Sequence, residues 1–120
     1  MTNANKTRAR LLSLSPKLIR REVVTIEVPG EDPIKVEVRS PTIAQSAAFS
    51  DSSRSSDTAT QTRLMADIVI SCSYDAETGE RLFSPADADV ILEDPTDGWV
   101  SPLVNAVTGL LGSAEKTAKN

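Results

Sequence analysis

The residues best suited to chemistry are few, and their spacing does not assemble a site. The 120-residue chain contains no histidine. That removes the commonest general base, the Ser-His-Asp and Cys-His arrangements, and the main zinc ligand. The single cysteine, Cys72, cannot by itself make a zinc set or an intrachain disulfide. It falls on an apolar helical stripe with no basic neighbour in sequence, the setting of a buried structural thiol rather than a nucleophile. The run Asp75-Ala76-Glu77-Thr78-Gly79-Glu80 has the composition of part of a calcium loop. It lacks the alternating Asp/Asn ligands and the distal glutamate, so it reads as a hairpin turn. Asp87, Asp89, Glu93 and Asp94 offer paired carboxylates, but the first two suit a helix N-terminus, where the helix dipole favours negative charge. The five glycines stand singly, so there is no phosphate-cradling loop. These residues predict no catalytic, cofactor-binding or metal site, and a binding protein rather than an enzyme.

Charge is unevenly distributed. The net charge is −4, yet Lys6, Arg8, Arg10, Lys17, Arg20 and Arg21 place six of the 13 basic residues in the first 21 positions. The stretch from Asp75 to Asp97 is acidic. A basic head and an acidic body attract each other within a chain or between chains, so self-association stays open. The overall negative field and the lack of aromatic residues in the basic head argue against nucleic acid as the partner. No apolar run approaches the ~18 residues needed to cross a bilayer, and Leu11, Leu12 and Leu14 are too few and too interrupted for a secretory core. A cytoplasmic protein with no membrane partner is expected.

The elements that position these residues follow from periodicity. Residues 1–21 read as a basic flexible arm, with Pro16 dividing a short helical turn from an extended piece. Val24-Thr25-Ile26-Glu27-Val28 and Ile34-Lys35-Val36-Glu37-Val38 alternate apolar and polar residues around a Pro-Gly-Glu-Asp-Pro turn. They predict a hairpin over 22–39 whose apolar face must pack on helices or add to another sheet. Helices are expected over 41–112. The first is capped by Ser40 with Pro41 at its first position. A serine-rich spacer at 50–57 reads as a mobile loop, and a second helix runs from about Thr58 to Ser73 with Leu64, Met65, Ile68, Val69 and Cys72 on one stripe. Ser84-Pro85-Ala86-Asp87 has the form of a capping box opening a helix with Ala86, Val90 and Ile91, which ends before Pro95. The last helix starts near Trp99 to Ser101, carries Leu103, Val104, Val107, Leu110 and Leu111, and stops at Gly112, leaving a polar tail at 113–120. The expected fold is a single small α+β domain at 22–112, an N-terminal β-hairpin followed by three to four α-helices. With four aromatic residues in all, its core must rest on Val, Ile, Leu and Ala.

The order of these elements carries a resemblance. The strand Ile26-Glu27-Val28-Pro29 entering a glycine turn, then Ser40-Pro41-Thr42-Ile43-Ala44-Gln45, then the acidic turn ending Gly79-Glu80-Arg81-Leu82-Phe83 before an acidic helix, resemble the tail assembly chaperones of siphophages and related prophages over roughly residues 10 to 111. The resemblance implies a non-enzymatic protein of virion morphogenesis that works in the host cytoplasm and is absent from the mature virion. It would bind the helical tape measure protein and help recruit tail tube protein. It also raises a longer frameshifted form, since Ala118-Lys119-Asn120 can be encoded as the slippery run GC-A-AAA-AAC. On this reading Leu64, Met65, Ile68, Val69, Leu103, Val107, Leu110 and Leu111 are partner-binding candidates, because apolar helix stripes grip an amphipathic partner helix. The same residues could instead form the chain's own core. Two other functions fit the residues: a tail or head-tail connector subunit whose hairpin adds to a ring-wide sheet, and a small DNA-binding regulator using the basic arm.

Overall fold

The computed structural model describes the backbone of residues 3–119 and the side chains of residues 3–14 and 18–111. Helix α1 (Asn3–Leu18) leads into strands β1 (Arg21–Ile26) and β2 (Ile34–Arg39). Helices α2 (Ile43–Ser53) and α3 (Thr58–Cys72) follow, then a short strand β3 (Ser73–Asp75). A 3-10 turn at Pro85–Asp87, helix α4 (Ala88–Leu92) and helix α5 (Val100–Lys119) complete the chain.

The alternation in the two long strands forms the hairpin as expected. β1 and β2 pair antiparallel, with Val24 opposite Val36 and Ile26 opposite Ile34. The turn between them places Gly30 at φ +79°, a conformation that suits a residue without Cβ. β3 adds to the other side of β2, placing Val38 opposite Ser73, and gives the order β1-β2-β3. One face of this sheet carries Val24, Val36 and Val38, and α5 crosses it, while α3 packs on α2, α4 and α5. The buried core comprises residues such as Val38, Val69, Ile91, Leu103 and Val107, and apart from Cys72 its apolar members are all Val, Ile, Leu or Ala. The α+β fold with a hairpin followed by four α-helices matches the expected architecture.

Five local expectations are corrected. The first segment is a continuous helix, not a turn and an extended arm, because Ala4, Lys6, Arg8, Ala9, Arg10, Leu11 and Leu12 are strong helix formers despite lacking a clean apolar period. Helix α2 is capped by Thr42, not Ser40: the Ser40 amide is held by the Arg20 carbonyl, which prolongs the hairpin ladder, while Thr42 and Gln45 form a reciprocal capping box. The serine-rich stretch is mostly helix, since α2 extends through Ser53 and only residues 54–57 are loop before Asp57 caps α3. The helix expected to carry Ala86, Val90 and Ile91 is shorter: Ala86 lies in the 3-10 turn, and α4 buries Ala88 and Ile91 while Val90 is exposed. Helix α5 passes through Gly112 to Lys119. Among the described residues only Gly30 and Gly79 have positive φ, so Gly112 does not adopt the left-handed stop.

Candidate functional site

The residues with chemical potential are used up by local structure. Asp75 accepts hydrogen bonds from the Glu77 and Thr78 amides at 2.7 and 3.1 Å, and Gly79 closes the turn at φ +75°. Tyr74 bridges across this turn to Arg81, so the acidic run is the expected hairpin. Asp87 accepts from the Ser84 amide at 2.8 Å, and Asp94 accepts from the Val100 amide at 3.1 Å, capping α5. The supposed carboxylate pair is thus divided between two helix starts. Cys72 is buried, and desolvation pushes its thiol up to about 11, with the positive charge of Arg81 offsetting only part of that shift. It is protonated and inaccessible near neutral pH, which disarms it as a nucleophile.

What the fold does present, among the described residues, is apolar surface in several hollows. A groove of about 620 Å³ lies between α1 and the start of α2. Leu11, Leu14 and Leu18 form one wall and Ile43, 92% exposed, the other. Its floor is the outer face of the sheet, where the Arg39 guanidinium stacks 3.9 Å from the Tyr74 ring centre and bonds Glu37 at 2.7 Å. A second hollow of about 290 Å³ sits at the closed end of the hairpin. Ile26, Val28, Ile34, Leu82, Leu103 and the stacked pair Phe83–Trp99, with ring centres 5.6 Å apart, line it. The third is a crevice of about 270 Å³ between α2, α3 and α5, where Phe49, Leu64 and Leu111 meet.

The eight partner-binding candidates divide between interior and surface. Val69, Leu103 and Val107 are fully buried in the chain's own core. Leu64, Ile68, Leu110 and Leu111 are half-buried, and Met65 is 40% exposed. The reason is the phase of α3: it buries Ala66, Val69, Ile70 and Cys72, so the stripe inferred from the large apolar residues is rotated away from the true inner face. Ala66, small and unremarkable in sequence, marks that face. The cup built by Phe83 and Trp99 was not singled out by sequence. Its traces were the hairpin's unassigned apolar face and two of the chain's four aromatic residues.

Among the described residues no helix is long and apolar enough to cross a membrane. No protein-family model matches the chain, and no curated protein matches it in sequence. Its fold is similar to that of a solved structure, the bacteriophage HK97 tail assembly chaperone. The match covers 86% of this chain and 96% of that one, with a TM-score of 0.57 and 18% sequence identity.

Proposed function

We propose that this protein is a tail assembly chaperone of a long-tailed, siphophage-type bacteriophage or prophage, holding the tape measure protein soluble and helping to recruit tail tube protein. The observation that carries this reading is the likeness of fold to the HK97 tail assembly chaperone over nearly the whole of both chains. The element order read from the sequence points the same way: hairpin, two helices, Gly-x-x-Leu-Phe turn, acidic helix. The surface suits the task. Shallow apolar hollows lined by Leu, Ile and Phe accept an amphipathic helix in more than one register, because such surfaces fix no single lock-and-key fit. Leu64 and Leu111, which line the α2–α3–α5 crevice, and Met65, Ile68 and Leu110, which keep some exposed surface on α3 and α5, are the residues assigned to partner contact. Val69, Leu103 and Val107 support them from the core. The site of action is the host cytoplasm, with no place in the mature virion.

The test is co-expression with the tape measure protein of the same phage. The two are expected to co-purify, and Leu64→Asp with Leu111→Asp to abolish recovery while the chain keeps its helical circular dichroism. Failure of the wild-type pair to co-purify would count decisively against the chaperone reading. A second reading, a tail or connector subunit, is favoured by one feature: β1 is an edge strand in the sheet order β1-β2-β3 of the described residues, and an edge strand can extend a ring-wide sheet. Detection of the chain in purified virions would select that reading.

A further inference from the structure

We propose that the groove between α1 and α2 is a docking site for an acidic amphipathic helix of another protein, gripped by leucine and isoleucine walls and oriented by Arg81. Two apolar walls rise there from a cationic floor. α1 supplies Leu11, Leu14 and Leu18, with Leu11 and Leu18 exposed. The start of α2 supplies Ile43, at 92% the most exposed of the large apolar residues described. Ile43 is held in place despite that exposure. The Thr42–Gln45 capping box fixes the first turn of α2, and the Ser40 amide donates to the Arg20 carbonyl at 2.9 Å. The floor is Tyr74, with the Arg39 guanidinium 3.9 Å and the Arg81 guanidinium 5.6 Å from its ring centre.

The charge of the groove has a single sign. Its lining contains Arg39 and Arg81 and no Asp or Glu. Glu37, the one acidic residue on the outer face of the strands, is already engaged by Arg39 at 2.7 Å and by Arg21 at 4.0 Å. Arg81 is exposed, and apart from its place over Tyr74 its side chain makes no hydrogen bond or ion pair among the described residues. An incoming carboxylate therefore meets an uncommitted guanidinium, which binds carboxylates in a planar fork. Lys6, Arg8 and Arg10 extend the same sign along α1, and residues 1–21 contain no Asp or Glu. A cavity of about 150 Å³ holds a benzene ring, so a groove of about 620 Å³ has room for about four apolar side chains. That is the number an amphipathic helix presents at i, i+3, i+4 and i+7.

A second copy of this chain does not supply such a helix. Among the described residues its acidic helix is α4, which has five residues, buries Ala88 and Ile91 in its own core and leaves Val90 exposed. Nucleic acid does not match the lining either: the walls are aliphatic, and the single aromatic ring already carries a guanidinium where a base would stack. What fits is a partner chain that sets acidic side chains beside apolar ones. The groove shares no lining residue with the α2–α3–α5 crevice assigned to the tape measure protein, and this second site does not depend on that assignment.

The experiment titrates the full chain into a fluorescein-labelled peptide and follows anisotropy. The probe has about 15 residues, the length at which an isolated helix begins to hold, with leucines at i, i+3, i+4 and i+7 and glutamates beside them. A matched peptide carries lysines in place of the glutamates. Saturable binding of the glutamate peptide is expected, about tenfold tighter than that of the lysine peptide. Ile43→Asp removes an apolar anchor and repels the glutamates, and should weaken that binding by about tenfold or more. Arg81→Glu should reverse the preference, so that the variant takes the lysine peptide over the glutamate peptide, a swap that misfolding cannot produce. Both positions are exposed, and wild-type circular dichroism is expected for each variant. Leu64→Asp with Leu111→Asp, in the separate crevice, should leave peptide binding unchanged. No saturable binding overturns the proposal. So does equal affinity for the two peptides, or an affinity that neither Ile43→Asp nor Arg81→Glu moves. Displacement of the peptide by duplex DNA would assign the groove to nucleic acid, and a bound fraction that falls again at high chain concentration would assign it to a second copy; either result also overturns it.

Discussion

Replacing Leu103 by alanine tests whether the residues that look like a binding stripe in sequence are core in the folded chain. Leu103 is 1% exposed and lies where α5 crosses the sheet. The substitution removes three carbon groups, worth about 0.8 kcal/mol each in transfer, or about 2.4 kcal/mol. A cavity penalty adds to this. Leu103 also borders the apolar cup, so the vacated space opens towards that hollow and the penalty stays small, giving about 3 kcal/mol in total. For 120 residues the unfolding entropy is about 0.25 kcal/mol per degree, so the melting temperature should fall by about 12 °C. Urea unfolding and calorimetry should agree, with an unchanged denaturant slope. Met65→Ala, at a residue 40% exposed, should cost less than about 1 kcal/mol by the same area argument. A Leu103→Ala loss below about 1.5 kcal/mol, or a Met65 loss as large as that of Leu103, would refute the assigned phase of these helices.

Three further outcomes follow from particular contacts. The Cys72 thiol is raised from 9.0 to about 11 in the folded protein, so the unfolded chain releases its proton first as pH rises. Stability is full below pH 9 and declines by about 2–3 kcal/mol towards pH 11, and comparing wild type with Cys72→Ala in alkaline melts should isolate that slope. Ser73 is 1% exposed and its hydroxyl has no hydrogen-bond partner, so Ser73→Ala should be neutral or stabilising by about 1 kcal/mol in urea unfolding. A Cβ on Gly98 would strike the Asp94 carboxylate that caps α5. Gly98→Ala and Asp94→Ala should each cost about 1 kcal/mol, and the double variant little more than either, because both remove the same cap.

Most of the element types were legible because they rest on short-range physics. Period-two alternation and a Pro/Gly turn are enough to specify the hairpin, and a proline-led capping box marks the start before α4. The errors lie where two local signals compete. Ser-Pro at 40–41 and Thr-x-x-Gln at 42–45 are both valid helix starts. The choice fell to Thr42 because the Ser40 amide was already committed to the Arg20 carbonyl across the hairpin. Likewise the serines at 50–53 read as loop by composition, yet the helix that begins at a good cap runs through them.

The sequence alone removes the commonest catalytic arrangements: with no histidine and a single cysteine, neither a His-based triad nor a Cys/His zinc set can form, whatever the fold. It also determined the segregation of basic and acidic residues and the aliphatic character of the core. Only the tertiary structure decided which apolar residues remain available. A helix stripe is defined by what packs on it, and α3 turned Ala66 and Ile70 inward while leaving Met65 and part of Leu64 outside. The cup around Trp99 joins a hairpin, a turn and α5, elements some 70 residues apart along the chain whose proximity no local pattern encodes. Leu11, Leu12 and Leu18 of α1 remain exposed for the same reason: a helix can form from propensity, but only neighbouring surfaces determine whether it is covered.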